Sequence, residues 1–117
     1  MFAACGRGER PTADVIGYYA TQVLLTTDDV VLTLRTGDEL TFWLQGQVDA
    51  MRAASYHQSE VLDSDITILN VNTALHRASF SRQRHDGSEI NRLTVSYVIT
   101  DELGRYRISA LAIHTPA

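Results

Sequence analysis

Residues 74–114 read ALHRASFSRQRHDGSEINRLTVSYVITDELGRYRISALAIH. Apolar and polar side chains alternate in three runs of this segment, at 74–84, 90–100 and 106–114. Such alternation is typical of half-buried β-strands. Asp86-Gly87 follows the first run, and this dipeptide is a strong signal for a hairpin turn. A second turn is predicted at 101–104, so the segment predicts three long antiparallel strands.

A helix is predicted on the N-terminal side of these strands. Thr36 and Glu39 have the spacing of a capping box, in which the two side chains satisfy free backbone N–H groups at the helix start. Apolar residues then recur at spacings of three and four, which places them on one buried face: Leu40, Trp43, Leu44, Val48 and Met51.

The remaining elements follow from shorter patterns. Residues 22–27 and 30–34 are rich in valine, leucine and threonine around Asp28-Asp29, which predicts a strand pair. A further strand is predicted at 61–71. A short helix is predicted over 12–20, because residues 11–14 combine a proline, a capping hydroxyl and an acidic residue, which are typical of a helix start. We therefore expect one α+β domain spanning residues 1–117, in which a curved antiparallel sheet wraps on helices near the N-terminus.

The amino-acid composition makes some classes of function poor candidates for this chain. The 117 residues carry a net charge of −4, and all ten cationic residues are arginines. An acidic domain without a basic stripe is a poor candidate for nucleic-acid binding. The single cysteine, Cys5, allows no internal disulfide. No apolar run approaches the length of a signal peptide core or a membrane span, so we expect a cytoplasmic protein that does not bind membranes.

Three motifs, in this order, resemble the nuclear transport factor 2-like superfamily and its SnoaL-like branch. Residues 18–27 resemble the short helix of that family and its first strand, and residues 80–87 resemble its central hairpin. Residues 104–114 resemble its closing strand, which begins with glycine, a basic residue and an aromatic residue. The resemblance covers residues 11–115 and implies a cone-shaped roll of the cystatin-like kind with an internal pocket.

The chain departs from that family at its beginning. Members usually start with a long helix that caps the open end of the cone, whereas about ten residues precede Pro11 here. We therefore expect a first helix that is short or absent. A truncated chain, a more open pocket or a partner that covers the pocket would each account for this.

The resemblance implies that the pocket lies between the helices and the concave face of the sheet. Five aromatic and histidine side chains are the candidates to line it: Tyr19, Trp43, His76, Tyr97 and His114. Each has a structural alternative, since Trp43 belongs to the apolar helix stripe and tyrosines or histidines on strands are often hydrogen-bonded core residues. The first hypothesis is a module that binds a small apolar molecule in the cone.

The second hypothesis is an acid/base enzyme of the SnoaL-like type, such as an isomerase, a cyclase, or a hydratase or epoxide hydrolase. It requires a carboxylate inside the cone, and Asp63 and Asp65 are the candidates that do not belong to turns or helix ends. One of them would have to lie within hydrogen-bond reach of His76 or His114. Phosphate-binding, CxxC and HExxH motifs do not occur, so we expect no cofactor and no metal.

The third hypothesis is a structural dimerisation module. Both faces of the last strand carry apolar residues, which a sheet with one solvated side avoids. We therefore expect helices on one face and a second subunit on the other, giving a homodimer through the sheet.

An arginine cluster on neighbouring strands has two interpretations. It comprises Arg77, Arg82, Arg84 and Arg92. In the first, the arginines lie on a surface and pair with acids such as Asp63 and Glu89. In the second, they form a site for an anion or carboxylate, because the forked guanidinium of arginine matches the two oxygens of a carboxylate.

Overall fold

The structure of this chain is a computed structural model that describes residues 16–116. In this part of the chain a helix follows two short strands and precedes four long ones. The elements are β1 (Tyr19–Thr26), β2 (Val31–Leu34), α1 (Gly37–Ala53), β3 (Tyr56–Asn70), β4 (Thr73–Arg84), β5 (Glu89–Glu102) and β6 (Arg105–His114).

The six strands form one sheet in the order β2-β1-β6-β5-β4-β3. β1 pairs with β6 in parallel, and the other neighbours are antiparallel. The last strand therefore lies inside the sheet, between β1 and β5. Shifts in register interrupt the β3–β4, β4–β5 and β5–β6 pairings. Such bulges bend strands and strengthen their twist, so the long strands curve around α1.

The helix begins as the sequence predicts, with one difference in its cap. The Thr36 hydroxyl accepts a hydrogen bond from the Glu39 backbone N–H at 3.1 Å. The Glu39 carboxylate accepts from the backbone N–H of Arg35 at 2.6 Å, one residue before the cap residue. The acidic side chains of Asp38 and Glu39 also lie in the first turn, where they stabilise the positive end of the helix dipole.

The core lies between α1 and the concave face of the sheet. Leu40, Leu44 and Val48 project from the helix and are almost fully buried. They belong to one cluster with strand residues that include Val23, Leu25, Leu34, Leu93, Val95 and Leu111. Trp43 packs against this cluster but is only partly buried. The predicted helix stripe therefore divides into four buried residues and one tryptophan at the margin of the core.

The predicted short helix over 12–20 is wrong at its C-terminal end. Residues 1–15 lie outside the described part of the chain, and so does the expectation about a first helix. Tyr19 and Ala20, however, belong to β1. The backbone N–H of Ile108 donates to the carbonyl of Tyr18 at 2.8 Å, so pairing with β6 extends the strand to this point. A tertiary pairing of this kind overrides the local pattern.

Candidate functional site

A cavity of about 340 Å³ lies between α1 and the concave face of the sheet. Its walls come from α1 and from every strand except β2. They comprise Tyr19, Trp43, Leu44, Gln47, Tyr56, Gln58, Ser59, Phe80, Arg82, Leu93, Val95, Tyr97, Leu111 and Ile113. A concave, largely apolar and aromatic cavity with a few polar groups is the usual form of a small-molecule site.

Three of the five predicted residues line this pocket. Trp43 contributes from the helix, Tyr19 from the start of β1 and Tyr97 from the middle of β5. Burial raises the pKa of the Tyr19 phenol well above its ordinary value, and the nearby Tyr97 raises it further. Burial also raises the pKa of Tyr97. Both phenols are therefore neutral at physiological pH and present hydroxyl groups that donate hydrogen bonds.

His76 lies beside the pocket and does not line it. Its ring stacks on Tyr97 with the ring centroids 5.8 Å apart. Its Nε2 atom is 3.0 Å from the hydroxyl oxygen of Ser64 on the neighbouring strand. His76 thus supports one wall of the pocket through Tyr97, and the group within hydrogen-bond distance of its Nε2 atom is a serine hydroxyl and not an acid.

His114 lies on the opposite face of the sheet. Leu111 and Ile113 of β6 face the pocket, so alternation directs the next residue to the outer face. There the His114 Nδ1 atom is 2.7 Å from a carboxylate oxygen of Asp28 in the turn after β1. The two side chains are 64% and 45% exposed. The prediction that His114 lines the pocket is therefore corrected.

Among the described residues that line the pocket, Arg82 is the only charged side chain. It follows Phe80 by two positions on β4, and the same face of the strand carries both into the cavity. Burial lowers the pKa of the Arg82 guanidinium, and the phenols of Tyr56 and Tyr97 act in the opposite direction. The guanidinium nevertheless stays charged at any physiological pH.

The acids that the enzyme hypothesis requires lie elsewhere. Asp63 and Asp65 line a second, polar cavity of about 310 Å³ between β3 and β4, together with Arg77. Neither an aspartate nor a glutamate among residues 16–116 lines the first pocket. Within residues 16–116, no group of three or more histidine, cysteine, aspartate and glutamate side chains is arranged to hold a metal ion.

The predicted arginine cluster is divided between the two faces of the sheet. Arg77 and Arg92 pair in register with Ser96 and Ser81, and Arg92 forms an ion pair with Glu89 at 2.9 Å. The same Glu89 carboxylate accepts a hydrogen bond from the buried Ser81 hydroxyl. The surface interpretation therefore holds for Arg92, whereas Arg82 lies in the pocket.

Sequence reasoning missed the pocket roles of Arg82 and Phe80, and those of the polar residues Gln47, Gln58 and Ser59. One signal for Arg82 was available, because the alternation from Ala78 through Phe80 continues to position 82. No comparable signal exists for Gln58 and Ser59. They belong to the start of β3, where polar residues conceal the alternation.

No helix in the described range is long and apolar enough to cross a bilayer.

Comparisons with known proteins agree with this architecture. Residues 1–116 match a protein family described as NTF2-like protein (DUF6841), where NTF2 stands for nuclear transport factor 2. No curated protein matches the chain significantly.

Solved structures show the fold. A cystatin-like protein of unknown function from Nostoc punctiforme superimposes with a TM-score of 0.78 at 12% identity, over 98% of this chain and 83% of that one. The yeast UBP3-associated protein BRE5 superimposes with a TM-score of 0.76 at 13% sequence identity, and the match covers 99% of this chain and 88% of that one. An NTF-2 like protein of unknown function from Shewanella oneidensis superimposes with a TM-score of 0.72 at 12% sequence identity, and the match covers 97% of this chain and 88% of that one. The cystatin-like roll expected from the sequence is thus confirmed.

Proposed function

We propose that this chain, which belongs to the DUF6841 family of NTF2-like proteins, binds a small and mainly apolar molecule in the pocket between α1 and the sheet. One observation carries the proposal. The concave face holds a cavity whose walls are mostly aromatic and aliphatic, where a filled core would have left none. We also propose the SnoaL-like branch as its place in the superfamily, on the motifs at 18–27, 80–87 and 104–114.

Catalysis of the acid/base kind is the weaker alternative. A general base must lie within hydrogen-bond reach of the proton it removes. The pocket lining, as far as the structure describes the chain, includes neither a carboxylate nor a histidine, and the His114–Asp28 pair is exposed on the other face. Tyrosines of raised pKa are poor bases at neutral pH. Binding requires none of these groups.

The test uses the fluorescence of Trp43, which is the only tryptophan in the chain and lines the pocket. The purified protein is titrated with steroids, aromatic polyketide-like compounds, fatty acids and small epoxides. We expect at least one class to change the Trp43 emission saturably and to raise the melting temperature, because a ligand that binds only the folded state stabilises it.

Two phenylalanines provide matched variants. Phe80 lines the pocket, whereas Phe42 is 85% exposed on the helix and is not among the lining residues. Phe80→Leu should weaken binding and Phe42→Leu should leave it unchanged. If no compound class binds, the proposed function is wrong. If both variants weaken binding equally, the ligand lies elsewhere.

A further inference from the structure

Two phenol hydroxyls on the wall of the pocket have no hydrogen-bond partner in the described part of the chain. They belong to Tyr19 and Tyr97, which both line the cavity. Tyr19 is only 9% exposed, so its side chain is largely withdrawn from bulk water. Buried polar groups of native proteins are nearly always hydrogen-bonded, to protein or to ordered water. A partner for these two hydroxyls therefore has to be a molecule inside the cavity.

The sheet brings the two tyrosines to the same side of the cavity. Tyr19 pairs with Ile108 of β6, and Ile108 pairs with Ile99 of β5. Tyr97 lies two positions before Ile99, so alternation places both on the same face of β5. Only β6 therefore separates the two tyrosines. The pKa of Tyr19, which burial raises, is raised further by electrostatic interaction with Tyr97, as expected for two phenols that lie close together.

Several other polar groups of the lining are engaged elsewhere. The hydroxyl oxygen of Ser59 is 2.7 Å from that of Tyr56, and the side-chain amide of Gln58 donates to Gln83 at 3.1 Å. Arg82 and Tyr56 have further interactions of their own. The hydroxyls of Tyr19 and Tyr97 are therefore the donors of the wall that a ligand can use without displacing another contact.

A neutral carbonyl group matches this pair of donors. Both phenols are protonated at physiological pH, so each has one hydrogen to donate. A carbonyl oxygen has two lone pairs and can accept from both hydroxyls at once. A pure hydrocarbon in the same place would leave the two hydroxyls buried without a partner, which costs free energy.

We infer that the pocket selects small neutral molecules that combine an apolar body with a carbonyl oxygen, and that the hydroxyls of Tyr19 and Tyr97 hold this oxygen. Ketones and esters are the simplest members of this class. The inference rests on the proposed function and narrows its ligand class. The volume of about 340 Å³ lies near the lower end of the range for small-molecule pockets, which favours one or two rings over a steroid.

The test compares ketones with hydrocarbons of similar shape on proteins that differ by one oxygen atom. Acetophenone and 1-indanone are titrated by calorimetry alongside ethylbenzene and indane. Tyr19→Phe and Tyr97→Phe each remove one hydroxyl and keep the ring. Each variant should weaken ketone binding by about fivefold, which corresponds to one hydrogen bond. The hydrocarbons should bind both variants as tightly as the unmodified protein or slightly more tightly, because no donor is left unpaired.

Tyr18→Phe is the matched control, since Tyr18 is 56% exposed and is not among the lining residues. It should leave all four affinities unchanged. The inference is overturned, and the proposed function stands, if the ketones bind both pocket variants as tightly as the unmodified protein. The same holds if the hydrocarbons weaken as much as the ketones, or if neither ketone binds while another class of compound does. If no compound of any class binds, both fail.

The infrared carbonyl stretch of bound acetophenone gives a second readout that needs no variant. Hydrogen bonds to the oxygen lower the frequency of this band. The ketone bound to the unmodified protein should therefore absorb at a lower wavenumber than the ketone dissolved in hexane. A bound ketone that absorbs at the hexane position would overturn the inference even if neither phenylalanine variant folds.

Discussion

Asp28 connects two distant parts of the chain through its carboxylate. One oxygen is 2.7 Å from His114 Nδ1, and the other accepts from the backbone N–H of Thr115 at 2.8 Å. The hydrogen bond with His114, followed by that with Thr115, lowers the pKa of Asp28. The turn after β1 is thereby fastened to the end of β6. This histidine–aspartate pair has the residue types of a catalytic site, yet its exposed position assigns it to stability.

The lowered pKa predicts how this fastening depends on pH. A carboxyl group whose pKa is lower in the folded state stabilises the fold above its unfolded pKa of about 4, and that stabilisation is lost as the pH falls through the lower folded value. Asp28→Asn should therefore reduce stability at pH 7 and make the decline below pH 4 shallower. Urea unfolding between pH 2 and pH 7 measures this. Asp29→Asn removes the same charge from the same turn and should leave the decline as in the unmodified protein. Identical declines for all three proteins would contradict the assignment.

Helix α1 shows which structural features the sequence pattern of a single element can predict. The capping residue, the start of α1 and four of its five stripe positions follow from capping and from the 3.6-residue period alone. The pattern cannot tell Leu40 from Trp43, because both lie on the apolar face. Whether a position is core or pocket wall depends on how closely the sheet approaches it. Leu40 is 3% exposed and is not among the lining residues, whereas Trp43 is partly exposed at the cavity.

Truncation of these two residues should separate core from pocket. Leu40→Ala removes a buried core side chain that does not line the cavity, and it should lower the free energy of unfolding by about 2–5 kcal/mol. Trp43→Ala should cost less than Leu40→Ala, although tryptophan is larger, because its side chain faces an existing cavity. Chemical denaturation of both variants gives the comparison. A larger loss for Trp43→Ala would place it in the core.

The whole sheet has a second face that α1 does not cover. On this face an apolar row crosses four strands in register: Leu24 pairs with Ala110, Ala110 with Val98, and Val98 with Leu75. Leu24 is 47% exposed, so part of this row is open to solvent. Exposed apolar patches commonly mark protein interfaces. We therefore propose that the protein forms a homodimer through this outer face.

Light scattering at tens of micromolar tests the dimer. The unmodified protein should have twice the mass of one chain, and Ala110→Arg, at the centre of the row, should reduce it to a monomer. Val71→Arg is the control, since Val71 is 87% exposed in the turn between β3 and β4. A monomeric unmodified protein would contradict the proposal.

The sequence predicts the features of this fold that depend on neighbouring residues, and it does not predict those that depend on how distant strands and the helix pack together. Alternation and turn residues predicted β4, β5 and β6 with small errors at their ends, because these strands are long and each has one buried face. The choice of pocket residues depended on which face is concave. The position of the concave face depends on the pairing of β6 with β1 and on where α1 lies. Tyr19, Trp43 and Tyr97 therefore lie at the cavity, whereas His76 lies beside it and His114 lies on the outer face.

The most direct test of the account is a two-dimensional NMR titration that follows the indole N–H of Trp43 while steroids, aromatic polyketide-like compounds, fatty acids and small epoxides are added in turn. We predict that at least one class shifts this signal saturably, while the backbone amides of the outer face, such as those of Val98 and Ala110, remain unchanged. Shifts confined to the outer face, or no saturable shift at Trp43 with any class, would contradict a ligand site in the pocket.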